Sequence, residues 1–138
     1  MEVPNRIFKL GNQAEVSTFQ TTGQICSSLD QNDGFIHLSD RTSVPIVANL
    51  FFNSAIDLVL LEIDATKLPG TIEWVIGKMG DDAPNTKDYN ADSIVHYLIP
   101  DGCVHVYGPQ GVPATAIVRQ EHVVYNVETK KHDFPKWL

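Results

Sequence analysis

Two apolar segments of this chain each carry a histidine in a strand-like pattern. They are residues 34–39, GFIHLS, and residues 103–107, CVHVY. Apolar and polar residues alternate in both, which predicts β-strands whose successive side chains point to opposite faces. Histidine donates and accepts protons near neutral pH, so His37 and His105 are candidate catalytic residues. If the two polar faces meet, they form a cleft that can bind a small molecule.

Three further polar side chains are candidate ligand-binding residues around these histidines. Ser39 shares a strand face with His37, and Tyr107 shares one with His105, so each histidine has a hydroxyl beside it. Arg41 follows the first strand, where its guanidinium could clamp a phosphate group. Each also has a purely structural interpretation, as a helix cap for Ser39, a cross-strand aromatic pair for His105 and Tyr107, and a solvated side chain for Arg41.

The same segments carry a resemblance to a known family. GFIHLS at 34–39, DLVLLEID at 57–64 and HVYGP at 105–109 resemble a small family of mostly bacterial proteins described as a domain of unknown function. The likeness runs over about residues 6–117. That family is grouped by fold with the ADP-ribosyltransferase-like superfamily, in which a strand carrying His-x-Ser or His-x-Thr lines an NAD-binding cleft. His37-Leu38-Ser39 matches that pattern.

The resemblance implies both a fold and a function. The implied fold is α+β, an ADP-ribosyltransferase-like split antiparallel β-sheet with two helices. The implied function is binding of NAD, as a substrate rather than a resident cofactor, or of another ligand that contains ribose and phosphate, with ADP-ribosyl, glycosyl or phosphoryl transfer as the associated chemistry. The alternative is a non-catalytic binding or interaction module that retains the fold.

One departure from the superfamily bears on the chemistry. A glutamate usually stands on the third cleft strand, where it stabilises an oxocarbenium-like transition state, whereas His105 stands in the equivalent place here. An NAD glycohydrolase-like or transferase activity would therefore lack its usual carboxylate. A second branch of the same fold, the RNA 2′-phosphotransferases, uses histidines and arginines instead, which fits His37, His105 and Arg41.

Two other chemistries agree with the residue types but not with their spacing. Cys103, His105 and His37 are all zinc-ligand types, yet the sequence has no Cys-x-x-Cys or His-x-x-x-His spacing, so we predict no metal site. A Cys103 nucleophile with His105 as its base is disfavoured, because side chains two residues apart on one strand face lie about 6–7 Å apart.

Composition limits the organisation and the partners. A chain of 138 residues predicts one domain, with a core over about residues 6–127 and a tail over 128–138. The formal net charge of −7 disfavours a nucleic acid as partner, because phosphate contacts need a basic surface. Two cysteines are too few to staple a secreted domain, and neither a signal-peptide pattern nor a membrane-spanning run is present. We therefore expect a cytoplasmic protein without membrane contact, whose partner is a nucleotide-like small molecule; the sequence specifies no oligomeric state.

Hydrophobic periodicity predicts the elements that position these residues. Helices are predicted over 13–22 and from a Thr42 or Ser43 cap through Phe51. Residues 58–63 are apolar on both faces, which predicts a central strand covered on both sides. The polar stretch 77–92 has no periodicity and is predicted to be a long, mobile loop that borders the cleft. Further strands are predicted at 7–10, 71–76, 94–99, 116–118 and 123–127, and a turn over 30–34.

Overall fold

A computed structural model describes residues 2–138, which form nine β-strands and three α-helices. The strands are β1 (Arg6–Asn12), β2 (Ile36–Ser39), β3 (Leu58–Asp64), β4 (Ile72–Gly77), β5 (Ser93–Leu98), β6 (Cys103–Tyr107), β7 (Ile117–His122), β8 (Val124–Asn126) and β9 (Lys131–Asp133). The α-helices are α1 (Gln13–Thr22), α2 (Ser28–Asp33) and α3 (Val44–Phe51). The predicted α+β class is confirmed. Within this range, no helix is long and apolar enough to cross a membrane.

Seven strands form the main sheet, in the order β4-β5-β6-β2-β1-β3-β7, while β8 and β9 form a separate hairpin. All neighbours in the main sheet are antiparallel except β4 and β5. Parallel neighbours need a connection of about a dozen residues or more, and the polar stretch after Gly77 supplies it. The sequence analysis predicts an antiparallel sheet, whereas the structure shows a mixed one. The reason is that this long loop returns the chain to the same end of the sheet before β5 begins.

The sheet is split between β2 and β1. Only Phe8 and Ser39 are register partners there, whereas β1 pairs with β3 over its whole length, from Arg6 with Asp64 to Asn12 with Leu58. Two half-sheets result. We call β4-β5-β6-β2 the histidine half, because it carries His37 and His105, and β1-β3-β7 the α3 half.

The two faces of the sheet are covered differently. On the first face, α1 packs through Val16 and Phe19 onto one apolar core that extends under both halves. On the second face, α3 packs through Val44 and Ala48 onto the α3 half alone, where a second core lies. The histidine half presents polar and aromatic side chains on that second face, and most of them stay partly exposed.

Helix α2 corrects the sequence analysis, which predicts a turn over 30–34 and two helices rather than three. Its N-terminus is a capping box, in which Ser27 Oγ accepts the Asp30 N–H and the Asp30 carboxylate accepts the Ser27 N–H. Gly34 ends it in the left-handed conformation, with φ of 82°. A helix of six residues is too short to show hydrophobic periodicity, so only its caps indicate it.

The segment predicted as a tail packs against the α3 half. Lys131–Asp133 forms β9 against β8, and Phe134 and Trp137 contact the core beneath α3. Arg41 Nη1 donates to the main-chain oxygens of Trp137 and Leu138, at 2.6 and 2.9 Å. Aromatic anchors and one arginine therefore attach this segment to the sheet.

Candidate functional site

Three histidines stand side by side across neighbouring strands of the histidine half. In the strand register, His37 of β2 is opposite His105 of β6, and His105 is opposite His96 of β5. Directly opposite residues share one face of a sheet, so the three rings form a row. The ring centroids of His37 and His105 are 5.6 Å apart. The two histidines singled out from the sequence therefore meet on one face.

His96 is the member of the row that sequence reasoning missed. A signal for it exists, because the turn at Pro100-Asp101-Gly102 closes a hairpin between β5 and β6. Counting outward from that turn pairs residue 98 with 103 and residue 96 with 105, as the structure shows.

Phe35 and Tyr107 extend the row into an aromatic cluster. The Phe35 ring centroid lies 4.4 Å from those of His37 and His105 and 5.1 Å from that of Tyr107, which are spacings of packed aromatic pairs. All four rings are partly exposed, so one side of the cluster is open. We call Phe35, His37, His96, His105 and Tyr107 the histidine face.

A buried carboxylate fixes the position of His37. His37 Nδ1 donates to Asp30 Oδ1 at 2.7 Å, and the His37 main-chain N–H donates to the same oxygen at 2.9 Å. Lys9 Nζ donates to both Asp30 oxygens, at 3.0 and 2.8 Å, and to the His37 carbonyl at 2.9 Å. The side chains of Lys9 and Asp30, rather than the backbone of β1, are therefore the hydrogen-bonding partners of the His37 backbone. These bonds lie at the point where the sheet is split.

This pairing also accounts for the closeness of the two histidine rings. The N–H and C=O groups of a strand residue point to the same side, and those of His37 point into the split, away from β6. His37 and His105 are thus a non-hydrogen-bonded pair of the antiparallel ladder, the kind in which facing side chains approach most closely.

The charges around Asp30 compensate one another. Burial by itself would raise the pKa of the Asp30 carboxyl, but the bond from His37, the Lys9 ammonium and the Ser27 N–H together hold that pKa well below its usual range. The Asp30 side chain is fully buried and the Lys9 side chain nearly so. The stability of the folded protein depends on keeping both charges of this buried pair, because removing one leaves the other buried and unpaired.

Asp33 holds the second ring nitrogen of His37, with Oδ2 at 2.9 Å from Nε2. Asp30 and Asp33 are three residues apart on α2, so the helix presents both carboxylates on one side. The two carboxylates therefore flank the His37 ring, one beside each nitrogen.

His105 is arranged in the opposite way. Burial, reinforced by the neighbouring His37 and His96, lowers the pKa of His105 to about 4, so its ring is neutral near pH 7. It makes no hydrogen bond to any residue within 2–138. A neutral imidazole offers one donor and one acceptor. The histidine face thus places a ring held between two carboxylates beside a neutral ring that makes no hydrogen bond to the described residues.

The loop between β4 and β5 covers the third histidine. His96 is buried, and burial lowers its pKa despite the nearby carboxylate of Asp81 in the loop. A Cβ atom on Gly77 would lie 2.6 Å from His96 Nε2 and 2.9 Å from Asp81 Oδ2, so a larger residue there would have to displace one of these side chains. The loop therefore borders the histidine face, as the sequence predicts, while its mobility stays a prediction.

Ser39 and Arg41 are less available than the sequence suggests. Ser39 lies on the second face, opposite Cys103, but it is buried. The Arg41 guanidinium packs over the Phe8 ring, with Cζ 5.3 Å from the centroid, and bonds the C-terminal segment. Arg41 belongs to the α3 half, and the structure does not bring it to the histidine face.

The thiol near the histidines is not arranged for metal or nucleophilic chemistry. Burial, then the carboxylates of Asp101 and Asp40, raise the pKa of Cys103, so it is a protonated thiol at neutral pH. Among residues 2–138, no group of three or more histidine, cysteine or acidic side chains has a geometry that could hold a metal ion.

A groove of about 810 Å³ opens at one end of the histidine face. It is lined by residues from α2, from the segment before it and from the turn after β6, and it includes Cys26. Phe35 and Asp30 belong both to the groove and to the surroundings of His37. The groove and the surroundings of His37 therefore share these two residues, while the groove residues Ile36 and Val106 point to the opposite face of the sheet from His37 and His105.

Solved structures of the protein CC0527 from Caulobacter crescentus have a similar fold. Its crystal structure has 17% sequence identity to this chain, covers 93% of both chains and has a TM-score of 0.62. The crystal structure of a double mutant has 19% identity, the same coverage and a TM-score of 0.62. A solution NMR structure has 19% identity, covers 91% of this chain and 90% of that one, and has a TM-score of 0.54. At these identities the likeness concerns the fold alone.

The sequence comparisons identify a family. No curated protein matches the chain. The model of the family described as "Protein of unknown function (DUF952)" matches residues 11–120, which include both histidine strands and most of the main sheet. The chain therefore belongs to the DUF952 family.

Proposed function

We propose that the histidine face binds a small molecule that contains ribose, with NAD as the first candidate. The observation that carries this proposal is the free, neutral His105 beside the doubly held His37, in an aromatic cluster with one open side. Ribose hydroxyls donate and accept hydrogen bonds, and a neutral imidazole matches them with one donor and one acceptor. Phe35 and Tyr107 add flat apolar surfaces of the kind that bind planar rings.

The ADP-ribosyltransferase-like grouping is part of the same proposal. In that superfamily a strand with a His-x-Ser or His-x-Thr pattern lines the nucleotide cleft of a split sheet. Two observations support it here: β2 carries His37-Leu38-Ser39, and the split lies directly beside β2.

The arrangement favours phosphoryl transfer over ADP-ribosyl or glycosyl transfer. Neutral His105 can accept a proton from a hydroxyl that attacks a phosphate. Glycosyl transfer needs a carboxylate that faces the ligand, but Asp30 is fully buried and paired with Lys9. Asp33 is the nearest partly exposed carboxylate, at 34% of its side chain, and His37 already occupies one of its oxygens.

A non-catalytic binding module is the second candidate. One observation favours it: both ring nitrogens of His37 are occupied by Asp30 and Asp33, which leaves this ring no free group for a substrate. Under this alternative His37 organises the cleft, and His105 alone contacts the ligand.

Calorimetric titration with NAD tests the proposal. His105→Phe keeps an aromatic ring but removes both hydrogen-bonding groups, so we expect it to weaken NAD binding by about 1–3 kcal/mol with little change in melting temperature. His122→Phe, an exposed histidine on β7, is the matched control and should leave affinity unchanged. His37→Ala is a poorer probe, because the ring also supports Asp30.

Two results would count against the proposal: failure of the wild-type protein to bind NAD or any other nucleotide, and unchanged affinity in His105→Phe. Where binding is found, incubation with the bound nucleotide followed by product analysis separates the two candidates. Turnover that is lost in His105→Phe supports the enzyme, and binding without turnover supports the module.

A further inference from the structure

We infer that the outward face of α3 is the interface of a homodimer, in which two copies of this chain pack around a two-fold axis. We call this surface the α3 face and define it by Ile46, Asn49, Leu50 and Phe51 of the helix and by Ile56 of the turn after it. The surface belongs to the half of the sheet that lacks the histidine face, so the inference goes beyond the proposed function and does not rest on it.

Helix α3 is apolar on all sides, but only one side is covered. Its sequence, VPIVANLF, contains no charged residue, and Asn49 is its single polar residue. A helix with this pattern is ordinarily buried all round. Here packing onto the sheet buries only Val44 and Ala48 fully, whereas Ile46 and Leu50 point outward and stay exposed. The exposed side is therefore as apolar as a side that packs against protein.

The exposed apolar area is that of a dimer interface. Ile46, Leu50, Phe51 and Ile56 are 58, 66, 74 and 77% exposed. Their exposed surface is roughly 500 Å², comparable to the largest apolar patch on an ordinary monomer, about 300–600 Å². A stable dimer buries about 800 Å² of each partner, of which about 65% is apolar in homodimers. The α3 face alone supplies an apolar area of that size.

The shape of the α3 face is self-complementary. Ile46 and Leu50 are four residues apart on the helix, so their side chains form one ridge. The ridge borders a groove of about 370 Å³ between α3 and β9, with Ala48 and Phe134 in its lining. In a two-fold dimer every contact occurs twice, so the ridge of each copy can enter the groove of the other. One surface thus provides both members of the contact.

The charge of the surface favours a second copy over a membrane. Among residues 2–138, Lys131 is the only charged side chain that lines the groove. Helices that bind membranes carry several lysines or arginines beside their apolar face, and α3 has none. Two copies that each carry a net charge of −7 meet most favourably where neither presents a carboxylate. Asn49 can also pair with its counterpart, because a carboxamide both donates and accepts hydrogen bonds.

Sedimentation equilibrium of the purified full chain tests the interface. We expect the wild-type protein to approach twice the 15.3 kDa mass of one chain as its concentration rises. Leu50→Glu places a carboxylate in the interface of each copy, so the Kd of the dimer should rise about 100-fold or more. Leu29→Glu is the matched control, because Leu29 is a leucine of α2 that is 56% exposed away from the α3 face, and it should leave the Kd unchanged.

Two further measurements separate the interface from folding and from charge. Leu50 is exposed in a single copy, so Leu50→Glu should keep the far-UV circular dichroism spectrum of the wild-type protein, and Ile46→Glu repeats the test one turn earlier on the ridge. Raising the NaCl concentration from about 0.05 to about 0.5 M should tighten the wild-type dimer, because salt screens the repulsion between two acidic chains and leaves an apolar contact intact.

Four results would overturn the inference. A wild-type protein that stays monomeric up to about 1 mM has no such interface. A folded Leu50→Glu protein that dimerises as tightly as Leu29→Glu would place the dimer contact elsewhere. A dimer that weakens as salt rises would place it on charged surfaces. A monomeric wild-type protein that floats with vesicles of phosphatidylcholine and phosphatidylglycerol, and loses this binding in Leu50→Glu, would assign the α3 face to a membrane.

Discussion

The second face of the sheet is covered in the α3 half and left open in the histidine half. In the α3 half, Leu58 and Leu60 are fully buried beneath α3, and Phe134 and Trp137 pack at the side of the same core. In the histidine half, the corresponding face carries rings that stay partly exposed, including His105. An uncovered face can hold polar groups at low cost, because water satisfies those that the protein does not. The contrast shows why the candidate site lies in one half and the apolar core in the other.

The boundary between the halves is held by charge rather than by strand pairing. Lys9 comes from β1, Asp30 from α2 and His37 from β2, and their mutual bonds fill the split. Replacing backbone pairing by a buried ion pair adds little stability in itself, but it makes the boundary sensitive to loss of either charge.

The largest effect is expected at the boundary. Asp30→Ala leaves Lys9 buried without its partner and removes the side-chain half of the α2 capping box, so the free energy of unfolding should fall by about 4 kcal/mol. Urea denaturation measures it. Asp33→Ala is the matched control, since Asp33 is partly exposed and should cost about 1 kcal/mol or less. Equal losses in the two variants would mean that the buried pair does not hold the boundary.

The same network predicts acid sensitivity. The pKa of Asp30 in the folded protein lies below the ordinary value of 3.8. Its contribution to stability is therefore present above pH 3.8 and is lost as the pH falls towards the folded-state pKa. In Asp30→Ala this part of the pH dependence should be missing.

A paired truncation contrasts the two halves directly. Leu60→Ala removes a fully buried side chain of the α3 half and should cost about 3 kcal/mol without changing nucleotide affinity. Tyr107→Ala removes a partly exposed ring of the histidine face and should cost about 1 kcal/mol while weakening nucleotide binding. Melting curves and calorimetric titrations of both variants measure the two quantities. A Tyr107→Ala protein that loses stability as Leu60→Ala does, with affinity intact, would make the histidine face an ordinary core.

The smallest effect is a pH dependence from His105. Its pKa is lowered from 6.5 to about 4, so stability from this ring is fully present above pH 6.5 and is lost as the pH falls through that interval. Between pH 7 and 6 the loss should be under about 1 kcal/mol. NMR titration of the ring should give a midpoint near 4, and His105→Phe should remove this part of the stability profile. A midpoint near 6.5 would show that the ring is not desolvated.

Local patterns in the sequence predicted much of the scaffold. Alternation placed His37 and His105 on strands with the apolar residues turned to the core, and periodicity predicted α1, α3 and the central strand β3. These features depend on neighbours within a few residues along the chain, where backbone geometry alone decides which side chains share a face. Strand ends were less certain; β7, for example, runs to His122 rather than ending at 118.

Tertiary structure alone decided what surrounds the histidines. Lys9 meets the His37 carbonyl across 28 residues of sequence, and His96 joins the row only through the register of the β5–β6 hairpin. Arg41, two residues beyond Ser39, turns to the C-terminal segment instead of the cleft. Such contacts depend on how separate elements pack against one another. Hydrophobic periodicity within one segment does not predict that packing. The surroundings of a histidine are set by those contacts, so His37 and His105, alike in the sequence, become a ring held between two carboxylates and a desolvated, neutral ring.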